Sequence, residues 1–203
     1  MILTRWRFAA LALTIALAGC SILEPAPERS KFLVLTPIPT ASTTTSVQLA
    51  AGRPLALGLG PVTLPQYLDR PEVVVRNSQN TLELSPVDRW AEPLTDNFRT
   101  VLAANLMTLL GTNQVVMYPW FANSRLDYAI SVNVQQFEVN TTDGAQLIAR
   151  WTIRDPRSGA TLLNRETNVS EPLSSHDAQA IAAGLSAALG DLGRQIAQAL
   201  RQL

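Results

Sequence analysis

The pattern of apolar and polar positions opens with a charged head and an apolar run. Residues 1–7 hold Arg5 and Arg7 and no acid, and residues 8–17 are apolar except for Thr14, the order in which secretory signals are built. A permanent membrane span needs about 20 apolar residues, so this run is too short to be one. Residues 21–30 then set Pro25 and Pro27 among small and charged side chains, which favours an extended tether. Short alternations follow. Residues 31–36 predict a first strand stopped by Pro37 and Pro39, with a Ser/Thr-rich loop over 40–46. Leu55, Leu57 and Leu59 alternate with Ala56, Gly58 and Gly60, a strand with one bulky face and one nearly bare face that a helix or another chain can approach closely. Residues 72–76 and 81–84 predict a hairpin turning at Asn77 to Asn80.

The period then changes. Leu94, Phe98, Val101, Leu102, Leu106, Leu109 and Leu110 recur at helical spacing, so a helix is expected over 93–110 with Gly111 as its stop and Asp96, Arg99 and Asn105 on the far side. A short strand over 115–118 precedes Pro119, and residues 127–139 form the longest strand candidate. In that candidate Tyr128, Ile130, Val132 and Val134 share a face, whereas Phe137 and Val139 fall on the other. A bulge at Gln135-Gln136 would restore the phase. Asp143-Gly144 turns into a strand over 147–153, and the Asp155 to Gly159 turn leads into another over 161–169. The last helix is expected near Ser174, capped by a Ser174/Asp177 box, with Ile181, Leu185, Leu189, Leu192, Ile196, Leu200 and Leu203 in one stripe. Gly184, Gly190 and Gly193 weaken this helix by roughly 1 kcal/mol each relative to alanine, so tight packing against a sheet or partner is expected there. The stripe serves either the core alone or the core and a neighbouring subunit. Strand, hairpin, helix, strand cluster and helix in that order give an α+β fold: a mostly antiparallel sheet with two main helices on one face.

Composition narrows the chemistry. The chain has 203 residues, 47% hydrophobic and 16% charged, with 16 basic and 16 acidic side chains, the profile of one packed domain without a basic field for nucleic acid. His176 is the only histidine and Cys20 the only cysteine. Neither a Ser-His-Asp triad nor a histidine-rich zinc site can be assembled from them, so no catalytic residue, metal ligand or bound cofactor is expected. Gly58-Leu59-Gly60 is no dinucleotide loop, because Thr63 stands at the third glycine position and no helix follows. His176 is expected as a solvated residue at the start of the last helix.

Leu17-Ala18-Gly19-Cys20 resembles the lipobox of bacterial lipoproteins. That resemblance implies cleavage between Gly19 and Cys20, a diacylglyceryl group on the Cys20 sulfur and an N-acyl chain on its new amino group. Stable anchoring takes two or more acyl chains. Ser21 in place of the aspartate that retains lipoproteins at the inner membrane implies an outer-membrane address, on the periplasmic face. The expected division is a signal peptide over 1–19, a lipidated tether over 20–30 and one domain over 31–203.

Two candidate recognition features remain. Asp69-Arg70-Pro71, reached through Tyr67 and Leu68, reads either as a charged tip offered to a partner or as a turn held by local pairing, the second being favoured on local chemistry. Trp90, ahead of Glu92-Pro93, reads as a staple on the following helix in preference to an exposed interface anchor.

Gly60-Pro61-Val62-Thr63-Leu64-Pro65-Gln66-Tyr67-Leu68-Asp69-Arg70-Pro71, then Asn80, Leu82 and Leu84, then Arg89-Trp90-Ala91-Glu92-Pro93-Leu94, resemble the ABC-type transport auxiliary lipoprotein family. The likeness includes the Phe32-Leu33-Val34-Leu35 strand, where the family often has paired tyrosines, and the Phe137 region. It implies a non-enzymatic lipoprotein acting with MCE-domain proteins, whose rings or tunnels carry lipid across the periplasm, and a homo-oligomeric ring is consistent with it. The competing readings are a lipid carrier with its own apolar pocket between helix and sheet and a regulator of a cell-wall enzyme.

Overall fold

The computed structural model describes residues 30–39, 53–121 and 124–203. The signal peptide, Gly19, Cys20, the tether up to residue 29 and the 40–46 loop lie outside the described residues. Eight strands form one mixed sheet: β1 (Lys31–Leu33), β2 (Leu57–Thr63), β3 (Glu72–Ser78), β4 (Thr81–Trp90), β5 (Val115–Met117), β6 (Tyr128–Asn140), β7 (Gly144–Arg154) and β8 (Thr161–Glu171). Two helices complete the α+β fold, α1 (Leu94–Leu110) and α2 (Ala178–Leu200).

β6 is the axis of the sheet. One side pairs along its whole length with β7, which pairs with β8, both antiparallel. The other side is shared, its first half running parallel to β2 and its last residues parallel to β3. β5 extends β2 in parallel, β4 closes the antiparallel hairpin with β3, and β1 lies parallel on β4. The two long ladders are thus antiparallel, and the parallel pairings are short additions to them.

Alternation explains how β6 holds this place. Ile130, Val132 and Val134 point into the core, and after Gln135 the register against β7 shifts so that Phe137 and Val139 point inward as well. The bulge expected at Gln135-Gln136 is present at that position. Opposite it, Ala145, Leu147, Ala149, Trp151 and Ile153 are buried at every second residue, as period two requires when one sheet face is covered. Both helices cover that face. Phe98 of α1 meets Phe137 edge-on with ring centroids 5.1 Å apart, and Trp151 Nε1 donates to Thr167 Oγ1, which donates to Gln195 Oε1 of α2.

α1 ends as expected at Gly111, whose φ of 62° is left-handed and whose N–H bonds Met107 O; glycine adopts that conformation without a Cβ penalty. α2 begins later than expected. Its cap is Asp177, which accepts from the Ala180 N–H at 2.9 Å and from Ser175 Oγ, and Ser174 takes no part. These two donors, the backbone bond first, hold the Asp177 carboxyl below the usual carboxylate range. The expected stripe from Ile181 to Leu200 is buried, while Leu203 is exposed. At Gly193 a Cβ would stand 3.2 Å from Cβ of Asn105, so this glycine sets the close approach of the two helices.

Two expectations change at the amino end. The first strand stops at Leu33, because the following backbone leaves the sheet and runs along the helices. Leu35 N–H bonds Asn97 Oδ1 at 2.6 Å, Thr36 N–H bonds Ser186 Oγ at 3.0 Å, and Ile38 N–H bonds Asn105 Oδ1 at 2.8 Å. Pro37 and Pro39 have no N–H to satisfy. Asn105 therefore does not lie on an exposed side of α1. It is fully buried under this segment, since its side chain supplies an acceptor that apolar neighbours cannot.

Candidate functional site

β2 delivers the chain to the motif-rich segment. Gly60 has φ 128°, and a Cβ there would lie 2.5 Å from Cβ of Tyr118, so no larger residue fits. Gly58 and Gly60 sit inside a strand that continues to Thr63, and a 3-10 turn over Gln66–Leu68 follows instead of a phosphate-binding helix.

That turn is pinned from within. Tyr67 Oη donates to Glu138 Oε2 at 2.8 Å, Arg76 Nε donates to Glu138 Oε1 at 2.7 Å, and the Phe137 N–H reaches Oε2 at 3.1 Å. The Glu138 side chain has no exposed surface, and three donors occupy its oxygens. Burial first, then the hydrogen bond to Glu138, pushes the Tyr67 hydroxyl far above its ordinary value, so it stays protonated. Burial works against the Arg76 charge, but Glu138 outweighs it and holds the guanidinium pKa above the usual arginine value.

The backbone completes the clamp. Leu68, Asp69 and Arg70 N–H groups bond Pro65, Gln66 and Leu68 carbonyls, and the Trp90 N–H bonds Pro71 O at 2.7 Å. This last bond joins two motif segments that are distant in sequence. Together Asp69, Arg70 and Pro71 on one side and Trp90, Ala91, Glu92 and Pro93 on the other line a groove of ≈ 340 Å³. Glu92 Oε1 accepts from Asn97 Nδ2 at 2.6 Å, so the groove wall is tied to α1 and, through Asn97, to Leu35.

The residues singled out in the sequence fall into two groups here. Asp69 and Arg70 are exposed and Tyr67 is half-buried. Leu68 and Trp90 are buried in the core, at 3% and 6% exposure, and offer a partner almost no surface; they hold the tip from beneath. His176 is exposed and precedes the helix cap. Among the described residues no group of three or more histidine, cysteine, aspartate or glutamate side chains is placed to hold a metal ion, and no helix is long and apolar enough to cross a membrane. Sequence reasoning missed Glu138 and Arg76. The signal for Glu138 was its place just after the bulge in β6, where the change of phase draws a neighbouring polar residue toward the interior.

A family model described as ABC-type transport auxiliary lipoprotein component matches residues 34–197. The solved structure of an uncharacterised protein superposes with a TM-score of 0.62 at 21% identity, covering 78% of this chain and 99% of the other. A Xanthomonas campestris protein of the DUF330 family gives 0.57 at 17% identity, covering 82% and 90%. At these identities the two structures share the fold. Among curated proteins no sequence matches this chain.

Proposed function

Since the chain belongs to the family of ABC-type transport auxiliary lipoprotein components, we propose that it docks a periplasmic lipid conduit built of MCE-domain protein to the outer membrane and catalyses no reaction itself. An auxiliary lipoprotein of a transport system needs an anchor and a contact surface. The proposed anchor is Cys20, carrying a diacylglyceryl and an N-acyl chain after cleavage behind Gly19, with Ser21 directing it to the outer membrane. The signal peptide is assigned to 1–19, the tether to 20–30 and the working domain to 31–203. Assembly of that domain into a homo-oligomeric ring belongs to the same proposal.

The observation that carries the docking role is the groove between Asp69-Arg70-Pro71 and Trp90 to Pro93. Three kinds of restraint hold its rim: the Glu138 cluster, the Pro71–Trp90 backbone bond and the Glu92–Asn97 bond. A surface held this rigidly costs little ordering entropy on binding. Asp69 and Arg70 are assigned the direct contacts, with Tyr67 at the margin and Leu68 and Trp90 as supports. The packing of the core favours a scaffold over a lipid carrier, since Phe98, Leu102, Leu106, Phe137, Leu147 and Trp151 fill the space between helices and sheet at 1% exposure or less.

The test is carried out in cells. Wild type is expected to fractionate with the outer membrane and to co-purify an MCE-domain protein in mild detergent. Cys20→Ala is expected to lose acyl mass and the membrane fraction. Asp69→Arg combined with Arg70→Glu is expected to keep the fraction and lose the partner. A Cys20→Ala form that still sediments with outer membrane, or a wild type that never recovers the partner, refutes the proposal.

A further inference from the structure

The strand directions put the two ends of the molecule to different uses. β1 runs parallel to β4, β4 runs antiparallel to β3, and β3 runs parallel to β6. The chain therefore enters β1 from the end of the sheet where β6 finishes, beside the start of α2, whose Asp177 feels the charge of Lys31. The opposite end, where β6 begins, lies about 30 Å further along the strands at roughly 3.3 Å per residue.

That opposite end exposes aromatic and cationic side chains together. Phe121 is 82% exposed, Tyr118 49% and Val116 41%, and Tyr118 packs edge-on against Trp120. The Ser124 N–H closes a turn onto Phe121 O at 3.0 Å, which brings the aromatic tip next to a groove of ≈ 740 Å³. Arg53, Arg125 and Arg157 line this groove, and among the described residues no carboxylate does. Asp127 neutralises Arg53. Asp155 accepts from the Arg157 N–H and from Ser158 Oγ in its own turn and also feels the Arg157 charge, yet it takes no hydrogen bond from the guanidinium. Arg125 and Arg157 keep their side-chain donors for another molecule.

Exposed aromatics beside arginines are the composition of interface hot spots. Two unspent guanidinium groups select carboxylates bidentately, and the aromatic tip selects an apolar neighbour. We infer that this end of the sheet is a second docking surface, taking an apolar protein segment flanked by carboxylates, and that it faces away from the tethered end toward the transport partner. The inference rests on the proposed docking role and adds to it the surface and the chemistry of the occupant. An anionic lipid surface would share the charge preference, but the described chain enters the domain at the opposite end of the sheet, and the apolar aromatic tip beside the arginines favours a protein segment.

In-cell photocrosslinking of the full-length lipoprotein separates the outcomes. A photoreactive phenylalanine analogue is placed at Phe121 in one strain and at Asp69 in another. Both are expected to capture the same MCE-domain protein, and the peptide joined to Phe121 is expected to carry aspartate or glutamate beside apolar residues. Arg125→Glu with Arg157→Glu is expected to lower the Phe121 yield about tenfold, as loss of charge complementarity does, and to leave the Asp69 yield unchanged. Both arginines are exposed and donate no side-chain hydrogen bond to another side chain among the described residues, so the double variant is expected to keep a Tm close to wild type. Capture at Asp69 with only phospholipid, another copy of this chain or nothing at Phe121 overturns the second surface and leaves the docking role standing. Capture at neither position overturns both.

Discussion

Glu138 is a carboxylate with no exposed surface, and at the scale of single residues its stability depends on donors brought from three places: Tyr67 in the turn, Arg76 in β3 and the Phe137 N–H. Removing one side of a buried pair leaves the other charge uncompensated. Glu138→Ala is expected to cost about 3 kcal/mol, because Arg76 keeps only partial access to water. Tyr67→Phe, which deletes one donor to a charged acceptor, is expected to cost about 1.5 kcal/mol. Urea titrations of the two variants check the order, and equal losses would show that Arg76 is rescued by solvent. Glu171 offers the opposite sign. The shared hydrogen bond with Asp191 comes first, burial and like charge follow, and together they raise its pKa above 4.5 despite Arg194. A raised folded value means that folding binds the proton, so the pair is at ease below the ordinary carboxylate range and loses stability as pH rises through the folded value. Glu171→Gln is therefore expected to raise Tm at pH 7 and to match wild type near pH 4, in paired thermal scans.

Elements are decided by how residues share a face, and this was legible wherever one strand or helix carries the whole signal. The α1 stripe with its Gly111 stop and the slip of phase in β6 needed no knowledge of neighbours. Deleting Gln135 is expected to remove the bulge and keep Phe137 and Val139 inward, since Val134, Gln136 and Phe137 then face Ala149, Ile148 and Leu147 as consecutive pairs. Inserting one residue after Gln136 is instead expected to turn both toward solvent, because a shift of one residue reverses every side chain beyond it. A cooperative unfolding transition, read by near-UV circular dichroism, is expected to persist in the deletion and to be lost in the insertion; the reverse order would mean that the bulge itself holds β6 against β7. What stayed hidden depends on a second segment. Period two says which face of a strand is buried and says nothing of which strand lies beside it, so the parallel placements of β1, β2 and β3 could not be read. Asn105 looked like a solvated helix position because its partner, the Ile38 amide, is 67 residues away in sequence. The cap of α2 moved from Ser174 to Asp177 because both are good caps, and local sequence does not choose between them.

For the whole molecule the same distinction holds. The Tyr67 to Pro71 and Trp90 to Pro93 segments were recognisable as a set, but only the Trp90 N–H to Pro71 O bond turns them into one groove. The cluster of Arg125, Arg157 and Phe121 carried no sequence pattern at all, since strand order alone brings the β7–β8 turn beside the loop before β6. With the chain entering at one end and the arginine groove at the other, height above the bilayer becomes a functional variable. Ser30 follows Cys20 by ten positions, and that stretch fully extended spans at most about 35 Å. Removing residues 22–26 would lower the body by up to about 17 Å on the same scale, while the proposed anchor at Cys20 is kept. Membrane fractionation is then expected to be unchanged, whereas complementation of a deletion strain, read as outer-membrane integrity, is expected to fail. Replacing the five lost residues with a Gly/Ser stretch of equal number is expected to restore it, because such a stretch returns reach without returning sequence. Failure of that replacement would assign the tether a contact of its own, and undiminished complementation by the shortened form would mean that the partner reaches down to this protein from a distance the tether does not set.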